Sequence, residues 1–402
     1  MRIPYAQAVY GKGEIRALTR VFENPSKIVA GPAVKEFEQK IAQRFGKAYG
    51  VMVNSGSSAN LLAFEVFDMP KGSEVITPAL TFSTTLTPIL QKGLVPVFVD
   101  VEPGTYVVNV NQIERLITKK TRALMIPSLL GNLPDWKRLA AIAKKHRLWL
   151  IEDSCDTLGP RVGKFATGTY SHVSTTSFYA SHIITAAGGG GMVCFHDERL
   201  AKRARLMAYW GRQSTLFGFY EKSEELRKRF TGVLQGKPYD AKFIFSEVGY
   251  NFQPTEAQAA FGLVQLSQLG VFAARRKKNF KVLMKLFKKY QRFFILPRQM
   301  QGTETVWLAF PLTLKPGTPF SRYDITRYLE EHDIQTRPIF TGNVLRQPAF
   351  SKIKQKRVVP GGYPVTDYIM ENGFIVGCHH GLEAKHLAYF TRTLEGFLKK
   401  YV

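Results

Sequence analysis

The sequence predicts an α/β protein: a large domain with a mostly parallel sheet, then a smaller α+β domain. Short continuous apolar runs alternate with helical patterns from residue 48 to residue 178. Strands read that way when helices cover both faces of a parallel sheet. A chain of 402 residues is long enough for two cores. A long helical pattern over 254–290 separates the alternating part from a second set of elements, so the boundary is placed near 270. Residues 1–270 then form the large domain and 271–402 the small one.

Residues 11–23 and 34–45 carry helical periodicity. Ala48 to Asn54 reads as a strand and Gly56 to Val66 as the helix after it. Strands are predicted at Glu74–Thr77, Val95–Val99, Ala123–Ile126 and Leu148–Ile151, with helices at 83–91, 111–118 and 134–146 between them. Val173 to Phe178 is a further strand-like run. The pattern over 254–290 starts at Pro254-Thr255-Glu256-Ala257, where Thr255 suits a helix cap. In the small domain, strands at Val306–Leu314 and Ile334–Pro338, a helix at Asp324–Glu331 and a final helix from Ala384 are expected.

Composition is that of a soluble globular protein, 45% hydrophobic and 22% charged. No apolar run approaches the ~20 residues of a membrane span, and Met1-Arg2-Ile3-Pro4-Tyr5 opens no signal peptide, so a cytoplasmic location without membrane contact is expected. The three cysteines, Cys155, Cys194 and Cys378, lie far apart; they suggest no disulfide framework and are too few for a four-cysteine iron–sulfur cluster. The net charge is +25, densest at Arg275-Arg276-Lys277-Lys278 and on to Lys289. Leu283, Met284, Leu286 and Phe287 interleave there, which reads as an amphipathic helix with a solvated basic face. Binding to nucleic acid or an anionic membrane is the less favoured reading.

Four stretches carry residues suited to chemistry. Asn54-Ser55-Gly56-Ser57-Ser58-Ala59-Asn60 joins a strand to a helix. It fits a phosphate cradle, because small residues let amides at a helix start approach an anion; taken alone it reads more readily as an ordinary helix cap. Glu152 and Asp153 end a buried strand, at the edge where open α/β sheets bind ligands. A carboxylate there either pairs with a pyridinium nitrogen or caps a turn. His182 follows the run ending at Phe178 and precedes four glycines, Gly188 to Gly191; its near-neutral intrinsic pKa suits proton transfer. Phe82 suits stacking on an aromatic ring or burial in the core. Cys378-His379-His380 lacks good chelate spacing for zinc, so no metal is expected.

Taken in order, these stretches resemble the sugar aminotransferase family (DegT/DnrJ/EryC1/StrS) of fold-type-I, pyridoxal-phosphate-dependent enzymes along nearly the whole chain. Gly31-Pro32-x-Val34-x-x-Phe37-Glu38, Asn54-Ser55-Gly56-Ser57, Glu152-Asp153 and Gly249-Tyr250-Asn251-x-Gln253-x-Thr255-Glu256 carry the resemblance. It implies an aspartate-aminotransferase-like fold and a homodimer with shared active sites. It also implies that Gly56, Ser57 and Ser177 hold the cofactor phosphate, with Asn251 reaching it from the partner subunit. Phe82 would stack on the pyridine ring and Asp153 would bind its nitrogen.

Three pieces resemble one branch, the 4-keto-6-deoxysugar 3-dehydratases: Glu152-Asp153-Ser154-Cys155-Asp156-x-x-Gly159, Ser177-Phe178-Tyr179-x-x-His182 and Gly342-Asn343-x-x-Arg346-Gln347-Pro348. In that branch histidine stands where relatives have the Schiff-base lysine. Imidazole cannot condense with the cofactor aldehyde as an amine does. The resemblance therefore implies non-covalently held pyridoxal or pyridoxamine phosphate, His182 as the proton-transfer residue, and removal of the C3 hydroxyl from a nucleotide-linked 4-keto-6-deoxyhexose for deoxysugar or surface polysaccharide synthesis. Glutamate would regenerate the amine cofactor. Arg337, Asn343, Arg346 and Gln347 are candidates for the sugar or its diphosphate, arginine being suited to bidentate phosphate binding. Ala187 and Gly188 depart from the family's Gly-Glu, so the loop lacks a carboxylate. Ordinary sugar transamination and a non-catalytic basic-surface protein are the competing readings.

Overall fold

The computed structural model describes residues 1–24, 28–218, 222 and 225–402. Strands β1 (Tyr49–Val53), β2 (Glu74–Pro78), β3 (Val95–Val99), β4 (Thr121–Pro127), β5 (Trp149–Asp153), β6 (Val173–Ser177) and β7 (Gly191–Phe195) form one sheet in the order β1-β7-β6-β5-β4-β2-β3. The pairs β3–β2, β2–β4, β4–β5 and β5–β6 are parallel; β7 alone runs against its neighbours β6 and β1. The longer helices of this half are α1 (Lys12–Phe22), α2 (Pro32–Arg44), α3 (Gly56–Glu65), α4 (Ser83–Gln91), α5 (Trp136–His146), α6 (Glu198–Ala208) and α7 (Glu256–Ser267).

Side-chain alternation explains why the strands read as unbroken apolar runs. On β4, Ala123 and Met125 join the core shared with α2, α3 and α6, while Leu124 and Ile126 join the core under α5. Successive residues point to opposite faces, and both faces are covered.

The second sheet is antiparallel: β8 (Phe294–Ile295), β9 (Phe310–Leu314), β10 (Thr336–Pro338) and β11 (Gly373–Val376), in the order β8-β9-β11-β10. It packs with α8 (Leu269–Lys289), α9 (Arg322–Glu331), α10 (Pro364–Asn372) and α11 (Ala384–Leu398) around a core that includes Phe287, Phe310, Leu329 and Phe390.

Local chemistry fixes the elements that frame the sheet edge. Thr255 caps α7 in a capping box with Gln258. The next residue, Glu256, accepts from the amides of Gly31 (2.7 Å), Ala33 (2.6 Å) and Val34 (3.2 Å), so one carboxylate satisfies orphan donors at the start of α2. This ties together two sequence pieces more than two hundred positions apart.

Three expectations change. Residues 111–118 form two short 3₁₀ turns, Val110–Gln112 and Glu114–Leu116, instead of an α-helix. Val110, Ile113 and Leu116 are buried, and a spacing of three residues lines them up on one face of a 3₁₀ turn. The pattern at 254–290 is two helices, α7 and α8, bent by 61° at Gln268. The strand expected from Val306 starts at Phe310. Among the described residues no single helix is long and apolar enough to cross a membrane.

Candidate active site

Strands β5 and β6 are parallel neighbours, so their last residues, Asp153 and Ser177, emerge at the same edge. Helix α3 begins beside them. Ser55 caps it, accepting from the Ser58 amide at 3.1 Å, and Gly56 and Ser57 form its first turn. A Cβ on Gly56 would stand 2.6 Å from the Ser177 Cβ and 2.9 Å from the Cys155 sulfur. Only glycine lets the helix start press against the ends of β5 and β6. Gly56 is buried and Ser57 exposed, and the first-turn amides of a helix have no partners within it.

Asp153 is only 6% exposed. Its Oδ2 accepts from Asn60 Nδ2 at 2.9 Å and Thr85 Oγ1 at 2.7 Å, and its Oδ1 accepts from the Cys155 amide at 3.1 Å. The Cys155 thiol bonds to the same carboxylate, so its orientation is fixed from several sides. Asn60 is itself fixed, accepting from Thr175 Oγ1 at 2.6 Å.

His182 lies on the loop between β6 and β7. The first turn of that loop is closed by the His182 amide donating to the Tyr179 carbonyl at 2.9 Å. The imidazole is half-buried, with the Tyr179 ring 6.0 Å away edge-on. Its Nδ1 lies 3.3 Å from the Ser177 carbonyl. A carbonyl only accepts, so the neutral ring carries its proton on Nδ1 and leaves Nε2 as the basic atom. Burial, with the Arg276 charge adding to it, lowers the His182 pKa to about 4 against the opposing pull of the Ser177 carbonyl and Asp153. The ring is therefore neutral at physiological pH. Ala187 and Gly188, at the departure from the family pattern, both adopt positive φ, +51° and +95°.

The loop Thr341–Gln347 lies against the segment that carries Phe82. Thr341 Oγ1 donates to the Thr81 carbonyl at 2.6 Å and the Val344 amide to the Ala79 carbonyl at 3.0 Å. The Phe82 ring is 49% exposed and meets Phe340 edge-on at 5.9 Å. Within the loop Asn343 is buried and donates to Asp367 at 2.7 Å; Arg346 reaches the same carboxylate through Nε and Nη2 at 3.2 and 3.1 Å; and Gln347 donates to the Thr341 carbonyl at 2.8 Å. Arg337 is exposed on β10, over the Tyr5 ring and 3.7 Å from Glu330. Asn251 is exposed on a different surface run, next to Phe252, whose carbonyl accepts from the Asn54 amide at 2.9 Å. Gly56, Ser57, Asp153, Ser177 and His182 thus gather at one sheet edge.

A family model described as the DegT/DnrJ/EryC1/StrS aminotransferase family matches residues 9–395. The chain belongs to this family. It is 38% identical over 90% of its length to the lipopolysaccharide biosynthesis protein RfbH of Salmonella typhimurium, covering 84% of that protein. It is 36% identical over 93% of its length to a dTDP-4-dehydro-2,6-dideoxy-D-glucose 3-dehydratase of Saccharopolyspora spinosa, covering 82% of it. The solved E. coli GDP-4-keto-6-deoxy-D-mannose-3-dehydratase with bound hydrated PLP superposes with a TM-score of 0.86 at 28% identity, covering 98% of this chain and 99% of that one. The aspartate-aminotransferase-like, fold-type-I architecture is the one observed.

In this member of the DegT/DnrJ/EryC1/StrS family two residues given no role of their own in the sequence support the candidate site. Asn60 and Thr85 hold Asp153; each is a polar residue near the start of a helix, α3 and α4 respectively. Arg276 is a correction. Expected on the solvated basic face, it is 1% exposed. Leu269, Phe272, Arg276, Asn279, Leu283 and Leu286 are all buried on α8, at steps of three and four residues. Position 276 therefore falls on the apolar stripe, which the sequence alone could have shown. Cys378, His379 and His380 are buried, and among the described residues no group of His, Cys, Asp and Glu is placed to hold a metal ion.

Proposed function

We propose that the protein removes the C3 hydroxyl of a nucleotide-linked 4-keto-6-deoxyhexose, using pyridoxal or pyridoxamine phosphate and His182 as the proton-transfer residue. The observation that carries this is a neutral imidazole, rather than an amine, on the loop between β6 and β7, at the edge that also bears Asp153. The site suits such a cofactor. The helix start at Gly56 and Ser57, pressed onto Ser177, offers free amides for a phosphate. Asp153 is a carboxylate held in a fixed orientation at the same edge, suited to a ring N–H. Phe82 has an exposed ring for stacking.

When bound, the pyridoxamine form supplies an amine for the sugar ketone and a ring that takes up electrons. Asp153 would keep the ring nitrogen protonated. Nε2 of His182 takes up a proton as a base and returns it to the C3 hydroxyl as that group leaves. Arg337, Arg346, Asn343 and Gln347 are the residues assigned to the nucleotide sugar, and glutamate is the assigned amino donor. The functional unit is assigned as a homodimer. Phe243, Phe245 and Val248 are 54%, 55% and 93% exposed on the run that leads to Asn251, an apolar surface suited to a second copy. Asn251 would then serve the partner's phosphate site.

The test is incubation with pyridoxamine phosphate, glutamate and a panel of nucleotide-4-keto-6-deoxyhexoses, followed by mass spectrometry. Loss of the C3 oxygen is expected. A product with a new amino group and O3 retained would select transamination, the activity in the family's description.

A further inference from the structure

Arg276 is a buried cation without an anion. Its Nε donates to Nδ1 of His380 at 3.2 Å, its Nη1 to the carbonyls of Leu308 at 3.0 Å and Trp307 at 3.4 Å, and its Nη2 to the carbonyl of His182 at 3.2 Å. Every acceptor is neutral, and among the described residues no carboxylate pairs with it. Burying a charge this way is costly, and the usual remedy, a carboxylate, is missing. His380 shares the cost. Since its Nδ1 accepts from Arg276, its own proton sits on Nε2, which is buried with no hydrogen-bond partner. The ring is held flat on Phe272 at 4.1 Å. The adjacent His379 points elsewhere, its Nε2 3.0 Å from the Pro4 carbonyl.

We infer that Arg276 is a positioning residue for His182: its planar fork ties the backbone of the loop to the 307–308 segment and the 378–380 turn, and its charge favours the uncharged imidazole. A fork of five donors in one plane can hold acceptors from three chain segments at once, which lysine cannot do. A carboxylate beside Arg276 would bind it more tightly but cancel its field. The groups acting on the His182 ring are Arg276 from α8, Asp153 from β5, and the Ser177 carbonyl and Tyr179 from its own loop. Those acting on Arg276 are Cys378 and the two histidines that follow it. The catalytic consequence rests on the function proposed above; the clamp on the loop does not.

The experiment follows the ¹³Cε1–H signal of His182 in full-length protein labelled at histidine, assigned with His182→Asn, across pH 3.5–8. It needs neither cofactor nor substrate, so a failure of the proposed reaction leaves it readable. In Arg276→Gln the His182 titration is expected to move up by roughly half to one pH unit, with the acid limb of kcat/KM following it. In Arg276→Lys the charge stays, so the titration should stay while kcat falls about tenfold with little change in KM. A folded Arg276→Gln variant whose His182 titrates as in the parent would overturn the inference and leave Arg276 as packing alone. Should that variant not fold, Arg276→Lys decides: parental kcat overturns the inference, and reduced kcat at an unmoved titration supports it.

Discussion

The two groups of candidate residues both touch the start of α4 and are built differently. At the edge of the large sheet Asp153 is fixed by Asn60, Thr85 and Cys155, while the helix start at Gly56 keeps amides with no partner inside the helix. In the loop Thr341–Gln347, Asn343, Arg346 and Gln347 all have partners within the small domain. On the function proposed above, the first region would meet a ligand preorganised, and the second would have to exchange internal hydrogen bonds for ligand ones, so its residues would tune binding more than chemistry.

The largest test of this contrast is His182→Asn. Turnover should drop by about 10²–10⁴-fold while pyridoxamine phosphate, titrated by its fluorescence, still binds. Unchanged dehydration would remove the assigned role. Asp153→Asn comes next, with roughly a hundredfold loss of turnover and faster loss of cofactor on gel filtration. Gly56→Ala forces a methyl against Ser177 and Cys155. It should lower stability by about 1–3 kcal/mol in urea unfolding and weaken phosphate binding. Asp367→Asn, which frees Arg346 and Asn343, should change KM by only about threefold and leave kcat alone; a large fall in kcat would erase the distinction between the two regions.

Acid should also tell the regions apart. Asp367 is held below the usual carboxylate range by its hydrogen bond with Arg346, so it stays ionised well into acid. His182 and His379 are both pushed down to about 4, burial being the main cause. The unfolded chain takes up protons at their ordinary value of 6.5, and the folded chain resists until about 4. Their effect on stability is therefore absent above pH 6.5 and grows as pH falls from 6.5 toward 4. Urea midpoints should decline across that window. The base form of His182 persists through it, so kcat/KM should fall only as pH nears 4.

Much of this was legible beforehand where periodicity and burial agree. Val95–Val99 was placed to the residue, and the strands ending at Asp153 and Ser177 to within two. The unbroken apolar runs of a doubly covered sheet leave little else possible. The strands at Phe294–Ile295 and Gly373–Val376 escaped notice, being only two and four residues long. Gly56, Asp153 and His182 were legible from local motif chemistry, and the place of Arg276 on the apolar stripe of α8 from periodicity. Asn60 and Thr85 were not, because their work is defined by partners far along the chain.

Because β7 runs back beside β6, the segment carrying residue 182 leaves and re-enters the sheet between adjacent strands, about 4.8 Å apart. No crossover helix depends on it. A single side chain there can be exchanged without repacking a layer, so a lineage can trade amine chemistry for imidazole chemistry on an unaltered chassis. On the proposed function, the scaffold would set where the reactive atom stands, and one codon what it is.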